Sequence, residues 1–336
     1  MKDFSTEPRT RKCLRLWALI GSVFVAGFGA VPAGGAELKA VAALPVSKRD
    51  ETARLQIFLD QQLFGPGKID GSPGEFTTKA LMRYQRAHGL PETGVVDGAI
   101  PVDSVSPVYT TYVLREEDLR YVGDAPEEPV DQAKLKALPY GSLLEFLTER
   151  YHCSPVLLER LNAGLKLDQL KPGDEVRVPN VEPFLIEALS KPGFLPEVQE
   201  YKGRVITVNR AERMLDLMEG EKLLASLPIT PGGGGLETPE GTWKIMGVAT
   251  LPTFRWDKSV LETGKRSETF YMLPPGPNNP VGVVWCGLNR PGIGIHGTNN
   301  PQTIGRAASH GCMRVANWDV VRLSRLITKG MTVVIQ

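Results

Sequence analysis

Three kinds of hydrophobic spacing succeed one another along the chain. An unbroken apolar run from Leu16 to Val31 follows Lys2, Arg9, Arg11, Lys12 and Arg15 and leads into small residues ending at Ala36. Residues 37 to 50, rich in Ala, Pro and charge, show no periodicity and read as a linker. From Thr52, Leu55, Phe58, Leu59 and Leu63 recur at helical intervals; a second helix carries Ala80, Leu81, Tyr84 and His88 and stops at Gly89. Tyr109, Tyr112 and Val113 alternate as in a strand. Ser142 and Ser154-Pro155 then cap two short helices carrying Leu143, Phe146, Leu147 and Leu158, Leu161, and a turn at Leu170 to Asp174 enters a strand ending at Pro179. From Tyr201 onward alternation dominates, in seven stretches: 205–208, 214–217, 223–229, 241–248, 281–286, 293–296 and 331–335. One helix, Asn317 to Thr328, interrupts them. The pattern predicts a multidomain protein: a small α-helical module, an α+β module, and a mainly-β sandwich or barrel-like domain of antiparallel strands with one C-terminal helix.

Length and charge narrow the function classes. The 336 residues exceed one typical domain, and a net charge of +1 offers no electrostatic case for nucleic acid as a partner. The basic N-terminus, the apolar run and the small residues stand in the order of a secretory signal, with cleavage after Ala33 or Ala36; retention as an uncleaved anchor is the alternative. Either way the protein is exported, to periplasm or cell wall. Beyond the signal lie Cys153, Cys286 and Cys312, an odd number, so one thiol needs a purpose. Cys153 and Cys286 read as small buried apolar residues, or as a disulfide between different domains.

The purpose lies near the C-terminus, in Ile295-His296-Gly297-Thr298 and Ser309-His310-Gly311-Cys312-Met313-Arg314. Cysteine is a useful nucleophile only as thiolate, and an imidazole at His296 can take its proton. Gly297 and Gly311 permit close approach of a substrate, and the Gly311 N–H can face a developing oxyanion. Arg314 either attracts a substrate carboxylate and lowers the thiol pKa, or is a solvated charge. His310 lines the pocket or hydrogen-bonds to its own loop; Ser309 binds in the pocket or stabilises the turn. Zinc is weighed because His296, His310, Cys312 and Cys286 are metal-competent, but the short paired intervals of zinc sites are missing and a metal would occupy the thiolate. No metal and no cofactor are expected. The chemistry is acyl transfer.

These motifs resemble the L,D-transpeptidases with a YkuD-like catalytic domain, as do Thr238-Pro239-Glu240-Gly241, Asn279-Pro280-Val281-Gly282 and the closing strand Gly330 to Ile335. The resemblance implies that Cys312 forms a thioester with a stem tetrapeptide of peptidoglycan and releases D-alanine. An amine on another stem or on an envelope protein would then accept the acyl group, or water would in a carboxypeptidase. It implies further that the backbone carbonyl of Gly297 orients His296 and that Leu251 to Pro280 forms a lid; Ser309, Thr298 and Arg314 are the candidates for substrate contact. Leu55-Gln56, Ile69-Asp70-Gly71, Thr78 to Gln85 and Thr93 to Asp97 resemble a peptidoglycan-binding module. Ser154 to Asn162 and Leu170 to Pro179 resemble half of a LysM glycan binder, whose first half departs from the pattern after a long insertion; glycan binding or a scaffold that has lost its ligand are both open. The expected organisation is a signal at 1–36, a linker at 37–50, a peptidoglycan-binding module at 51–100, a LysM-like module at 101–182, a linker at 183–200 and a catalytic domain at 201–336. The expected partners are stem peptides and glycan strands. A non-enzymatic wall-binding protein is the rival reading, and a papain-like protease a weaker one.

Overall fold

Ser47 starts the first helix. Its hydroxyl accepts the Asp50 N–H at 3.2 Å, and Asp50 and Glu51 put negative charge in a first turn where the helix dipole favours it. Helix α1 (Lys48–Gln61) therefore begins inside the expected linker. A computed structural model of the protein describes residues 47–189, 191–233, 235–306 and 311–336. The predicted secretory signal lies outside these residues, and none of the helices among them is long and apolar enough to cross a membrane.

Helix α2 (Glu75–Ala87) packs on α1 through Phe58 and Tyr84, whose rings meet edge to face at 5.0 Å. The turn between the helices is pinned by buried Gln56: its Oε1 accepts the Asp70 and Gly71 N–H groups, and its Nε2 donates to Asp70, Ser72 and Thr77. That network gives the Gln56 and Asp70-Gly71 motif residues a physical reason. Gly71 adopts φ +69°, and a Cβ there would meet the Arg49 carbonyl at 2.9 Å.

Strand β1 (Tyr109–Val113) pairs antiparallel with β2 (Glu175–Pro179), and between them lie helices α3 (Pro129–Gln132), α4 (Leu143–Arg150) and α5 (Pro155–Leu161). Ser142 and Ser154 cap α4 and α5 as their sequence positions predict. This middle region is stitched to the helical one: the Ile69 N–H reaches the His152 carbonyl at 2.8 Å and the Ser154 N–H the Ile69 carbonyl at 2.9 Å.

The C-terminal region is one curled sheet. Its strands are β3 (Gly193–Phe194), β4 (Arg204–Asn209), β5 (Met214–Glu219), β6 (Lys222–Pro228), β7 (Gly241–Thr250), β10 (Val284–Leu288), β11 (Gly294–His296), β12 (Met313–Arg314) and β13 (Thr332–Ile335). They run in the order β12-β11-β10-β7-β13-β4-β5-β6, with β3 paired to β7. Between β7 and β10 a hairpin of β8 (Phe254–Trp256) and β9 (Tyr271–Leu273) encloses helix α6 (Lys258–Thr263), and α7 (Asn317–Ser324) precedes the closing strand. The expected all-antiparallel pairing needs correction, because β13 pairs parallel with β4 and β11 with β12. Both parallel pairs have the long connection they need: β4 and β13 are separated by most of the region, and β11 and β12 by residues 297–312. Helix α7 stops four residues before the predicted Thr328. Arg325 and Leu326 donate to carbonyls three residues back, so Ile327 and Thr328 stay buried in a turn that keeps the apolar spacing without the helix.

The outer edge of the sheet is covered rather than exposed. The Gly65 N–H donates to Ser226 of β6 at 2.7 Å and the Ser226 N–H to Leu63 at 2.9 Å, so the helical module blocks further pairing there. Charged contacts reinforce the seam: Arg83 and Arg86 reach Asp216 at 3.0 and 2.9 Å, and Arg213 reaches Glu75 at 2.7 Å.

Buried Asp60, at the end of α1, receives Arg322 of α7 in a two-pronged contact and His152 Nδ1 at 3.0 Å, while Trp318 stacks on the His152 ring. Burial pushes the Asp60 carboxyl up, but Arg322 and His152 outweigh it and hold the group far below the ordinary 3.8. Replacing Asp60 by Ala leaves buried His152 without its carboxylate partner and Arg322 with Asp319 alone, and is expected to cost about 3–5 kcal/mol in urea unfolding. Because the folded value is depressed, this contribution is complete above pH 3.8 and is lost as pH falls below it. The acid limb of the stability curve should therefore flatten in the variant; an unchanged limb would refute the assignment.

Candidate active site

Strand β11 carries the histidine and β12 follows the cysteine. In their parallel register His296 lies beside Arg314, and side chains two residues apart share a face, so Cys312 stands on the His296 face. The alternating burial of residues 311–314, with Gly311 and Met313 buried and Cys312 and Arg314 half-buried, agrees with that placement. A diagonal neighbour of this kind has Cα atoms on the order of 7–8 Å apart, within reach of an imidazole and a thiol. The pairing is locked by the Val315 N–H on the His296 carbonyl at 2.8 Å and by reciprocal 2.9 Å bonds between Arg314 and Thr230.

The imidazole is held on three sides. His296 Nδ1 lies 2.6 Å from the Gly297 carbonyl; with Nδ1 as donor, Nε2 is left as the basic nitrogen. Trp285, its register partner on β10, stacks on the ring with centroids 5.3 Å apart and planes 23° apart. A Cβ on Gly294 would strike the Trp285 indole at 2.9 Å, so the glycine makes room for the stack. The third support is Asn317, the first residue of α7 and fully buried. Its Oδ1 accepts the N–H groups of Val283 and Thr298, both at 3.2 Å. Any Cβ on Gly297 or Gly282 would come within 2.1 Å of that oxygen, which explains both glycines of the His-Gly and Asn-Pro-x-Gly motifs.

Cys312 follows Gly311, which adopts φ +95°, and its thiol donates to the Gly292 carbonyl at 3.2 Å. Gly232 backs this turn so closely that a Cβ there would lie 2.6 Å from the Gly311 nitrogen, and the Gly232 N–H is tied at 2.6 Å to the hydroxyl of buried Thr238. The Thr-Pro motif thus shapes the turn that presents the thiol. Asn279 does the same for the hairpin, donating to Pro274 at 2.8 Å and Pro252 at 3.4 Å and so joining its two legs. Asp257 organises the hairpin itself, accepting from Val260, Ser259 and Ser267.

Burial decides the protonation state. Desolvation pushes the Cys312 thiol up to about 11 despite a Gly294 backbone hydrogen bond and nearby Arg314, both of which lower it. Desolvation also drives His296 down to about 4, with Arg314 lowering it further and Gly297 opposing. Arg314 lowers the thiol pKa in the expected direction, but loss of water is the larger effect. The resting pair is neutral thiol and neutral imidazole.

Several expected residues stand elsewhere. His310 and Ser309 lie outside the described residues. Thr298, expected to meet substrate, is 1% exposed and its hydroxyl accepts the Asn300 N–H at 3.1 Å, so it builds the loop instead. Cys286 pairs with Ile295 and points away from the His296 face, which removes it from a shared zinc site. Cys286 and Cys153 are both buried free thiols whose pKa burial raises, and no disulfide joins them. Among the described residues no three His, Cys, Asp or Glu side chains converge as metal ligands. Trp285, Gly232 and Asn317 carry no sequence signal beyond an aromatic, a glycine run and a helix start.

A family model of the L,D-transpeptidase catalytic domain matches residues 203–335, and one of a peptidoglycan binding domain matches residues 48–100. The chain is 30% identical over 135 residues to a Bacillus subtilis protein named as the L,D-transpeptidase YqjB, covering 39% of this chain and 69% of that protein. It is 28% identical over 193 residues to one named YkuD of Bacillus licheniformis, covering 57% of this chain and 93% of that protein. A solved L,D-transpeptidase from Mycobacterium smegmatis aligns with a TM-score of 0.33 and 15% identity, covering 40% of this chain and 58% of that one.

A neutral resting pair has a kinetic signature. Alkylation by iodoacetamide, read on the peptide carrying Cys312, should rise about tenfold per pH unit from pH 6 toward about 10, since the thiol titrates near 11. A plateau already reached below pH 7 would show a resting thiolate and refute the neutral pair.

Proposed function

The chain belongs to the L,D-transpeptidase family, and from that premise we propose that Cys312 and His296 are the reacting pair of a peptidoglycan acyltransferase. The observation that carries the assignment is the β11–β12 register, which puts the two side chains on one face with Nε2 of the imidazole available. The thiol proton passes to His296 Nε2 as sulfur bonds to the carbonyl carbon of the stem peptide, and the new oxyanion faces the Gly311 N–H. The carbon–nitrogen bond then breaks, the imidazolium proton goes to the departing amine of D-alanine, and a thioester remains on Cys312. An acceptor amine attacks the thioester, giving its proton to His296, which returns one to the thiolate. Every proton is accounted for without a metal or cofactor. The neutral resting pair suits this sequence, because charge separates only as the carbonyl is attacked. Gly297 orients His296 through its carbonyl, and Arg314, half-buried on the same face, attracts the donor's terminal carboxylate; Ser309 and His310 complete the pocket wall.

Peptidoglycan is the partner at the cell wall. The finer assignments belong to this proposal: residues 48–100 hold the enzyme to the wall, residues 101–182 form a LysM-like unit whose β1-α4-α5-β2 order is that of a glycan binder, and the N-terminal segment directs export. The acceptor is a stem amine or an envelope-protein amine; transfer to water, giving an L,D-carboxypeptidase, is the second reading, favoured by nothing specific in the site.

Purified protein incubated with a disaccharide tetrapeptide should yield an acyl adduct on Cys312 by mass spectrometry, with D-alanine released. Cys312→Ala should abolish both while sedimentation with isolated cell walls is retained. His296→Ala should lower turnover by at least about 10³-fold. Wild-type protein that binds walls and never acquires the adduct would establish the non-enzymatic reading instead. In the same assay a tripeptide product alone, with no cross-linked dimer at high acceptor concentration, would favour water as acceptor.

A further inference from the structure

Asn317 uses all of its hydrogen-bonding capacity, and one of its partners comes from outside the C-terminal sheet. While Oδ1 holds the Val283 and Thr298 N–H groups on either side of Gly282 and Gly297, Nδ2 donates to Glu149 Oε1 at 2.9 Å and to the Pro277 carbonyl at 3.3 Å. Glu149 lies on α4 of the middle region and is 3% exposed; the same oxygen accepts the Tyr140 hydroxyl at 3.0 Å. The path from α4 to the reacting imidazole is therefore continuous: Tyr140, Glu149, Asn317, the Gly297–Thr298 backbone, and the Gly297 carbonyl on His296 Nδ1.

We propose that Glu149 is a positioning residue for the reaction, and that the middle region acts through it as a built-in support of the active site rather than only as a tether to glycan. The inference rests on the assignment of Cys312 and His296 above. A second contact between the same two regions runs beside the first. The Leu138 N–H donates to Pro275 at 2.9 Å, Asn278 Nδ2 donates to Pro139 at 2.8 Å, and Gly276 packs so tightly that a Cβ would lie 2.1 Å from the Leu138 carbonyl. These residues form the leg of the hairpin that Asn279 joins to its base. The middle region thus grips both the histidine turn and one leg of the hairpin.

Glu149 is an unusual choice for a purely structural role. Burial pushes its carboxyl up to about 8, against the lowering effect of Asn317 and Tyr140, so near neutral pH it is largely a neutral acid. What the site needs from it is the acceptor oxygen facing Asn317. Gln keeps that oxygen, whereas Ala and Met do not. Removing it frees the Asn317 amide to rotate and exchange its carbonyl and amino ends, which would withdraw the acceptor from the Thr298 N–H and release the turn that aims His296.

The test uses the full chain with Glu149→Gln, Glu149→Ala, the space-filling Glu149→Met in case the alanine variant does not fold, and Leu147→Ala. Leu147 is a buried residue of the same helix outside the network, and its truncation controls for simple destabilisation. Turnover of the disaccharide tetrapeptide should fall tenfold or more in kcat with KM within twofold for the Ala or Met variant, and stay within twofold of wild type for Gln and for Leu147→Ala. Independently of turnover, the downfield proton resonance of His296 Nδ1–H in the resting protein should shift or broaden in the Ala or Met variant and remain in place in the other two. Retained kcat with an unmoved resonance in Glu149→Met, or an equal loss in Leu147→Ala, overturns the inference. Wild-type protein without turnover would overturn the acyltransferase reading, and the resonance would still decide whether α4 supports the histidine.

Discussion

A parallel pairing only two residues long governs the site. Strands β11 and β12 are too short to be held by their own ladder, yet their register alone decides whether Cys312 and His296 share a face. A slip of one residue would put the thiol on the opposite side of the sheet. The supports around the pair all resist that slip: Thr230 bonds β12 from the other flank, Gly232 closes on the Gly311 turn, and Asn317 fixes the backbone leaving β11. Three glycines, at 282, 297 and 311, are places where backbone must come closer than any side chain allows, or adopt a left-handed turn.

The same constraint explains why the described residues form one body instead of beads on linkers. A site held by backbone contacts is only as rigid as the elements behind it, and α7, which supplies Asn317, is a two-turn helix with little stability of its own. It is anchored from below by Asp60 and His152, gripped through Arg322 and Trp318, and from the side by Glu149. Buried ion pairs of this kind contribute little net stability relative to a well-packed apolar seam, but they tolerate only one geometry, because any displacement strands a charge. The helical module therefore does two jobs. It carries the sequence pattern of a wall binder and it fixes the floor under the helix that supports His296.

Much of this was legible from residue spacing, and the exceptions have physical causes. Helix caps at Ser142 and Ser154 and the alternation of the C-terminal stretches are local signals, decided within a few residues, and they hold, except that the stretch at 281–286 begins as a turn and its strand is Val284–Leu288. The Cys312 and His296 motifs were visible because a thiol, an imidazole and flanking glycines fall close together in the chain. Strand direction was not visible, since β4 pairs parallel with β13 across more than a hundred intervening residues and no local pattern encodes that choice. Glu149 looked like one more acidic residue on an amphipathic helix, and Asn317 like a helix start. Their importance arises only when chain segments 168 residues apart meet. The end of α7 was overestimated because Leu326 and Ile327 remain on an apolar face after the helix has turned into a tighter loop. The lowering effect of Arg314, two residues from the thiol, was legible in the sequence, whereas the burial that outweighs it appears only in the folded chain.

That opposition has a mechanistic consequence. A cysteine stored as thiolate is reactive toward any electrophile that reaches it, and in an oxidising compartment it invites disulfide exchange and oxidation. A neutral thiol beside a neutral imidazole is protected from both until a carbonyl carbon arrives in line, at which point proton transfer and bond formation assist each other. The cost is that the imidazole must already be aimed, because no resting ion pair draws the two groups together. Positional accuracy replaces electrostatic attraction as the source of reactivity, and this is why so many buried polar contacts, from Trp285 to Asn317 and beyond it to α4, converge on one ring that carries no charge.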